Sequence, residues 1–247
     1  NPDNFRKFRR APDTVLAPGS FAVIPETAFN TGSNAFALSS AYGGELWLSA
    51  ADAQGNLTGD RTGVSFGPAL NGVSLGRVPT SLGIDFAAQS QRTLGGSNSG
   101  PQVGPVIVNE IMYHPPASTN GSVEIEFIEL HNLSSDPVPL YDVTHPTNRW
   151  RLADAVAFVF PAAASIPPRG YLLVVSFDPG ADPVALAAFR AGYSVPESVP
   201  IYGPLAGRLD NAGENLVLDQ PDTPEPGTGY VPYVLVDRVQ YDNALPW

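Results

Sequence analysis

Between residues 106 and 132 the chain reads V-I-V-N-E-I-M-Y-H-P-P-A-S-T-N-G-S-V-E-I-E-F-I-E-L-H-N, and this stretch limits the fold more than any other. Two runs, 106–112 and 123–131, are rich in β-branched and aromatic residues, with a Pro-, Ser-, Asn- and Gly-bearing loop between them. Each is of strand length and bounded by turn residues, so the pair predicts two β-strands. Further runs of the same kind occur at 20–24, 36–38, 45–49, 63–66, 73–77, 150–152, 170–176, 215–219 and 235–241. Glycine and proline supply 24 and 26 of the 247 residues, which fits frequent turns and leaves little room for long helices. Short strands without interleaved helices indicate an all-β antiparallel sandwich or barrel.

The chain also repeats itself. Phe8, Leu16, Pro18, Phe21 and Val23 find counterparts at Phe158, Ile166, Pro168, Tyr171 and Leu173, each 150 residues later. Leu46-Trp47-Leu48 matches Leu216-Val217-Leu218 at an offset of 170, the growth reflecting an insertion at 178–207 in the second copy. Val64-Ser65-Phe66 matches Val239-Gln240-Tyr241. The expected organisation is two units in tandem, residues 1–101 and 102–247, meeting at the flexible run G-G-S-N-S-G-P of residues 95–101. The second unit has an opening, 106–132, that the first lacks, and the first has a closing segment, 72–98, that the second lacks. The sequence therefore reads as a window from a longer chain of such units.

One short helix is expected within the insertion, over 182–192. Asp182 is an N-cap, Pro183 takes the first helical position, and Gly192 stands where a C-terminal glycine cap belongs. Leu186, Phe189 and Arg190 share a face. A helix this short does not persist alone in water, so it must dock on the second sandwich. The run 195–204, with three prolines, reads as an extended surface strap.

Composition excludes several functions. With 13 basic against 24 acidic residues the net charge is −11, a surface that repels phosphate backbones, so no nucleic-acid role is expected. The one basic cluster, Arg6, Lys7, Arg9 and Arg10, reads as a solvated edge. There is no cysteine, hence no disulfide framework and no thiolate metal site. No apolar run reaches the roughly 18 residues of a membrane span. The chain opens at Asn1 with neither Met nor a signal-like segment, so targeting information is expected to lie outside it.

The residues of reactive type point to structure instead. In 123–131 the alternation shifts: Val123, Ile125 and Phe127 share a face with Glu129, while Glu124 and Glu126 share the other with Ile128 and Leu130. A buried Glu129 needs a partner, and Asn109, Arg149, Arg151 and Arg238 are the choices. The expectation is a structural polar network of Asn109, Glu110, Glu129 and Asn132. Two carboxylates hydrolyse a glycoside only across a cleft, and no second acidic segment offers one. His114, His131 and His145 are the three histidines; none forms the close spacing of a zinc site, and they read as loop residues.

Two loops have the oxygen-rich, glycine-bent look of a calcium site: Asp52, Asn56 and Asp60, and Asp210, Asn211 and Glu214. Both lack the full D-x-D-x-D-G pattern and distal glutamate, so tight turns are the reading and bound Ca²⁺ the side expectation. No cofactor is otherwise implied. G-x-S-x-G, the P-loop and G-x-G-x-x-G opening a helix are all absent, so no nucleophile elbow or phosphate cradle is present. Sequons stand at Asn56, Asn120 and Asn132.

The second unit resembles a lamin-tail domain, an immunoglobulin-like β-sandwich. The resemblance rests on V-I-V-N-E-I-M-Y-H-P (106–115), E-F-I-E-L-H-N (126–132), W-R-L (150–152), G-Y-L-L-V-V (170–175), L-D-N-A-G-E (209–214) and the run 236–247. The first unit is similar to the remainder of another, through L-A-P-G (16–19), F-A-L-S-S (36–40), G-E-L-W-L (44–48), Asp52-Ala53, V-S-F-G (64–67) and N-G-V-S-L-G-R (71–77). The N-E-I-M-Y-H-P opening and the insertion at 182–192 look like the bacterial cell-surface branch. No coiled-coil heptads precede either unit, which removes any inference of filament formation.

The resemblance implies two immunoglobulin-like sandwiches in tandem and a non-catalytic module of a large secreted or surface-attached bacterial protein. Its partners would be other domains of the same long chain or neighbouring surface proteins. A glycan- or substrate-targeting role beside an enzyme outside this chain is the alternative. A flat row of Tyr193, Tyr202, Tyr230 and Tyr233 would favour that alternative.

Overall fold

The computed structural model describes residues 4–11, 14–81, 83–115 and 125–244. The expected strand residues Val123 and Glu124, and the sequon at Asn120, lie outside these. The chain divides into two compact units, Asn1–Gln102 and Val103–Trp247.

In the first unit a single helical turn, α1 (Glu26–Phe29), precedes four strands: β1 (Gly44–Ala51), β2 (Leu57–Phe66), β3 (Leu75–Thr80) and β4 (Gly83–Ala88). They form two separate antiparallel hairpins, β1–β2 and β3–β4. The second hairpin is tied to the loop after it by Gln89, which is buried. Its Nε2 donates to the Gly76 and Ala87 carbonyls at 3.2 and 3.1 Å, and its Oε1 accepts from Gly100 N–H at 3.2 Å. Among the described residues of this unit, Ala41 is the one fully buried hydrophobic side chain, while Leu16, Phe21, Val23, Leu46 and Leu48 are exposed. The runs 20–24 and 36–38, expected as strands, carry no ladder. A strand exists only where a neighbour takes its backbone N–H and C=O groups, and the described residues place none there.

The second unit is a sandwich. Its strands are β5 (Val106–Met112), β6 (Phe127–Asn132), β7 (Val138–Pro139), β8 (Arg151–Asp154), β9 (Phe158–Val159), β10 (Ser165–Ile166) and β11 (Tyr171–Val175), followed by helix α2 (Pro183–Tyr193), β12 (Ile201–Tyr202), β13 (Gly213–Pro221) and β14 (Tyr233–Asp242). One sheet has the order β12-β11-β6-β5, the other β14-β13-β8-β9, and β7 pairs with β10. Val106, Ile128, Leu130, Leu172 and Val174 from the first sheet meet Leu152, Leu216, Leu218 and Tyr241 from the second in one core. At one edge the sheets are linked by Val108 N–H, which donates to Asp237 Oδ2 at 2.8 Å. A bulge between Val108 and Glu110 sets Asn109 out of register.

The Y-L-L-V-V of β11 is apolar on both faces, which a half-solvated strand would not tolerate. Leu172 and Val174 enter the sandwich core, while Leu173 and Val175 join Phe127 and Phe189 in a second cluster on the outer face. Helix α2 therefore covers that face, and burying a side chain such as Phe189 contributes about 2 kcal/mol. This also resolves the shifting alternation of 125–131: both faces are buried at the Phe127 end.

Asp182 caps α2 by accepting from Ala185 N–H at 2.9 Å, and Pro183 opens it. The end differs from expectation. Gly192 stays inside the helix, and the left-handed cap is Ser194 at φ 56°, whose N–H returns to the Arg190 carbonyl. Tyr193 packs on Phe127 and Phe189 with ring centroids 5.2 and 4.9 Å apart, which holds the final residue in helical conformation. The strap 195–204 contains β12, which pairs parallel to β11.

The hairpins β1–β2 and β13–β14 share a register. Leu46 faces Val64 and Leu48 faces Thr62; Leu216 faces Val239 and Leu218 faces Asp237. The two pairings run in step over residues 44–48 and 214–218 and diverge after them, Ser49 facing Arg61 and Asp219 facing Leu235.

Candidate functional site

The four residues expected to form one polar network separate. Asn109 Nδ2 donates to Glu129 Oε1 at 2.7 Å on the outer, solvated side of the β5–β6 pair. Glu110 lies opposite Glu129 in the register but is exposed and takes no part in that bond. Asn132 belongs elsewhere. Fully buried, it donates through Nδ2 to the carbonyls of Asp136, Ile166 and Pro167 at 2.8, 3.2 and 2.9 Å. Its Oδ1 accepts from the N–H and the hydroxyl of Ser134, both at 2.8 Å. Asn132 is therefore the clamp that fixes the turn after β6 to the approach to β11, and it is closed to glycosylation.

The buried carboxylate of this region is Glu126, not Glu129. It is 3% exposed and accepts from Leu209 N–H at 3.0 Å, with the Arg208 guanidinium 3.5 Å away. Glu126 shares the parity of Ile128 and Leu130, and the backbone of Leu209, 83 positions away, gives its carboxylate a partner inside. Asn109 turned out to be the partner of Glu129; Arg151 pairs instead with Asp219, at 3.1 Å.

The two acidic loops are turns that use their own oxygens. Asp52 accepts from Asn56 N–H at 2.7 Å and Asn56 Nδ2 at 3.0 Å, and the backbone bond from Asn56 holds its carboxyl below the ordinary value. Asp60 accepts from the Thr58 hydroxyl at 3.3 Å. In the second loop Asp210 accepts from Ala212 N–H at 2.8 Å, and Glu214 accepts from Asp210 N–H at 2.6 Å and the Tyr241 hydroxyl at 3.0 Å. Burial, with the Glu214 bond, pushes the Tyr241 phenol well above its ordinary value. Asn211 is exposed at the tip. Among the described residues no three His, Asp or Glu side chains converge to hold a metal ion.

The three histidines lie apart. His114 is exposed, and His131 stacks on Tyr171 with centroids 4.3 Å apart. His145 was read as a plain loop residue, but its Nδ1 lies 2.7 Å from Asp142 Oδ2 and 3.0 Å from the Thr144 hydroxyl. Thr144 N–H and its hydroxyl also reach Asp142 Oδ1, at 2.8 and 2.7 Å. Partial burial pushes the Asp142 carboxyl up, but the Thr144 and His145 bonds together hold it below its ordinary value. A hydrolytic triad sets hydroxyl and carboxylate on opposite ring nitrogens. Here both approach Nδ1, so the group staples a loop. Its legible signal was D-x-T, a short side chain closing on the backbone two residues on.

Beside this loop is a shallow groove of about 320 Å³ lined by Pro105, Pro139, Tyr141, Asp142, Trp150, Pro221 and Asp222 among others. Its walls carry proline and aromatic surface with no histidine, serine or lysine. Its polar side chains are Asp142, Gln220, Asp222 and Thr223. Of the four tyrosines named above, Tyr193 packs under α2, Tyr202 lies against the sandwich core, and Tyr233 lies under the Arg151 guanidinium at 3.7 Å. They form no row.

No curated protein and no solved structure matches the chain. The model of the lamin tail domain family matches residues 99–223, just over half of its length. That span covers most of the sandwich, including the β5–β6 opening, the Asn132 clamp and the inserted helix. The chain belongs to the lamin tail domain family, an immunoglobulin-like and non-catalytic fold.

Proposed function

We propose that this chain is a structural or adhesive segment of a large secreted or cell-surface bacterial protein, two lamin-tail units in tandem acting through protein or surface contacts. The observation that carries the reading is where the second unit's polar groups go. Asn132, Glu126, Asp142 and Asp219 each complete a turn, an edge or an ion pair of the sandwich. Side chains committed to such bonds hold a shape. The common register of β1–β2 and β13–β14 supports two copies of one template.

Two measurements test this. Purified chain assayed on glycoside, phosphoester and peptide substrates should show no turnover above buffer; turnover abolished by His145→Ala would overturn the non-catalytic reading. In intact cells of the native bacterium, added protease should cleave the protein, and full protection would overturn the surface location.

A further inference from the structure

We propose that the leucine face of the β1–β2 hairpin is a docking surface for a strand segment of the β5–β8 kind, contributed from outside residues 1–247. The proposal deepens the structural role above and rests on it. Leu46 is 47% exposed and Leu48 72%, while Leu216 and Leu218, at the matching pairs of the β13–β14 hairpin, are fully buried.

The second unit displays what covers that face. Val106, Ile128, Leu130 and Leu152, from β5, β6 and β8, pack with the two leucines in one core. β8 also pairs along the free edge of β13, with Leu218 opposite Leu152. Among the described residues β1 has no strand on the equivalent edge.

The opposite face of the hairpin is partly covered by the first unit's own residues. Trp47 lies over Gly63, where a Cβ would come within 2.6 Å of the indole. Phe5 packs edge-on to Trp47 at 5.7 Å, and Arg61 lies over Phe5 at 4.6 Å. The leucine side is the more open of the two, with Leu48 72% exposed against 37% for Trp47, and its chemistry calls for strands with Val, Ile or Leu at alternate positions.

The stoichiometry excludes this chain as the donor. Among the described residues each copy carries two such hairpins and one β5–β8 segment, which is already buried in the second unit. A second copy is short by the same amount.

The test adds a synthetic polypeptide with the sequence of residues 103–154 to the full chain and follows backbone amide exchange. Exchange at residues 45–49 and 62–66 should slow by about tenfold or more, with residues 216–218 unchanged. The double variant Leu46→Glu/Leu48→Glu, altered only at exposed positions, should lose this protection and keep the exchange pattern of the second unit. Three results would overturn the proposal: no slowing in the parent chain, equal slowing in the variant, or slowing that rises with chain concentration alone, which would make a second copy the occupant. None of these bears on protease access in intact cells, so the two readings fail separately.

Discussion

Leu48 and Leu218 hold the same place in two hairpins of one register, yet the first is 72% exposed and the second fully buried. A hairpin's own hydrogen bonds set its pairing, and the sequence repeat carries that much in both units. Burial needs a second layer, which β5, β6 and β11 supply in the second unit. The difference teaches that the hairpin is a local structure while the core is a property of the whole sandwich.

The sharpest way to break the comparison is to shorten both leucines. Leu218→Ala should cost about 4 kcal/mol of second-unit stability and Leu48→Ala under about 0.5 kcal/mol, read by denaturant titration with unit-resolved amide exchange. A loss above about 2 kcal/mol for Leu48→Ala would show that its face is covered in the isolated chain.

The buried amides give a second contrast. Asn132→Ala strands three carbonyls in a closed interior and should cost about 3 kcal/mol. Gln89→Ala, in a hairpin with little core around it, should cost about 1 kcal/mol, since water can reach the groups it leaves. Equal losses in the same titration would mean that the first unit is as closed as the second.

Helix ends differ too. Asp182→Ala removes the α2 cap and should cost about 1 kcal/mol. The residue before α1, Pro25, makes no side-chain cap bond, so α1 should exchange its amides faster than α2 with or without that change. Faster exchange in α2 would contradict the docked-helix account.

The smallest effect is in acid. Burial raises the Asp219 carboxyl above its ordinary 3.8 despite the Arg151 bond. The native state then holds the proton more tightly than the unfolded chain, so stability falls as pH rises from about 3.8 to the raised native value. Asp52 runs the opposite way: held low, it contributes above its ordinary value and loses that contribution as pH falls through its native one. Asp219→Asn should flatten the downward slope of second-unit stability over that window; an unchanged slope would assign it to another group.

Much of the second unit was legible. The run 106–112 is β5 to the residue, and 150–152, 170–176, 215–219 and 235–241 fall on or within a residue or two of β8, β11, β13 and β14. These runs alternate or are continuously apolar, and turn residues bound them. The two-residue strands β7, β9, β10 and β12 were not legible, because pairs this short have no period and exist only through their partners. Asn132 is legible as a polar residue in an apolar run, but its partners are not: Ile166 and Pro167 are 34 and 35 positions away. The Arg151, Asp219 and Tyr233 cluster left no sequence signal at all, since three strands bring it together.

By itself the sequence determined the strand-rich class, the capped start of α2 and the family, because each follows from local period, turn chemistry or motif order. The tertiary structure alone decided which leucines are buried, which carboxylate goes inside and which face the helix covers. Those outcomes depend on what lies across the sheet, and a strand's own residues carry no record of whether the layer opposite is present.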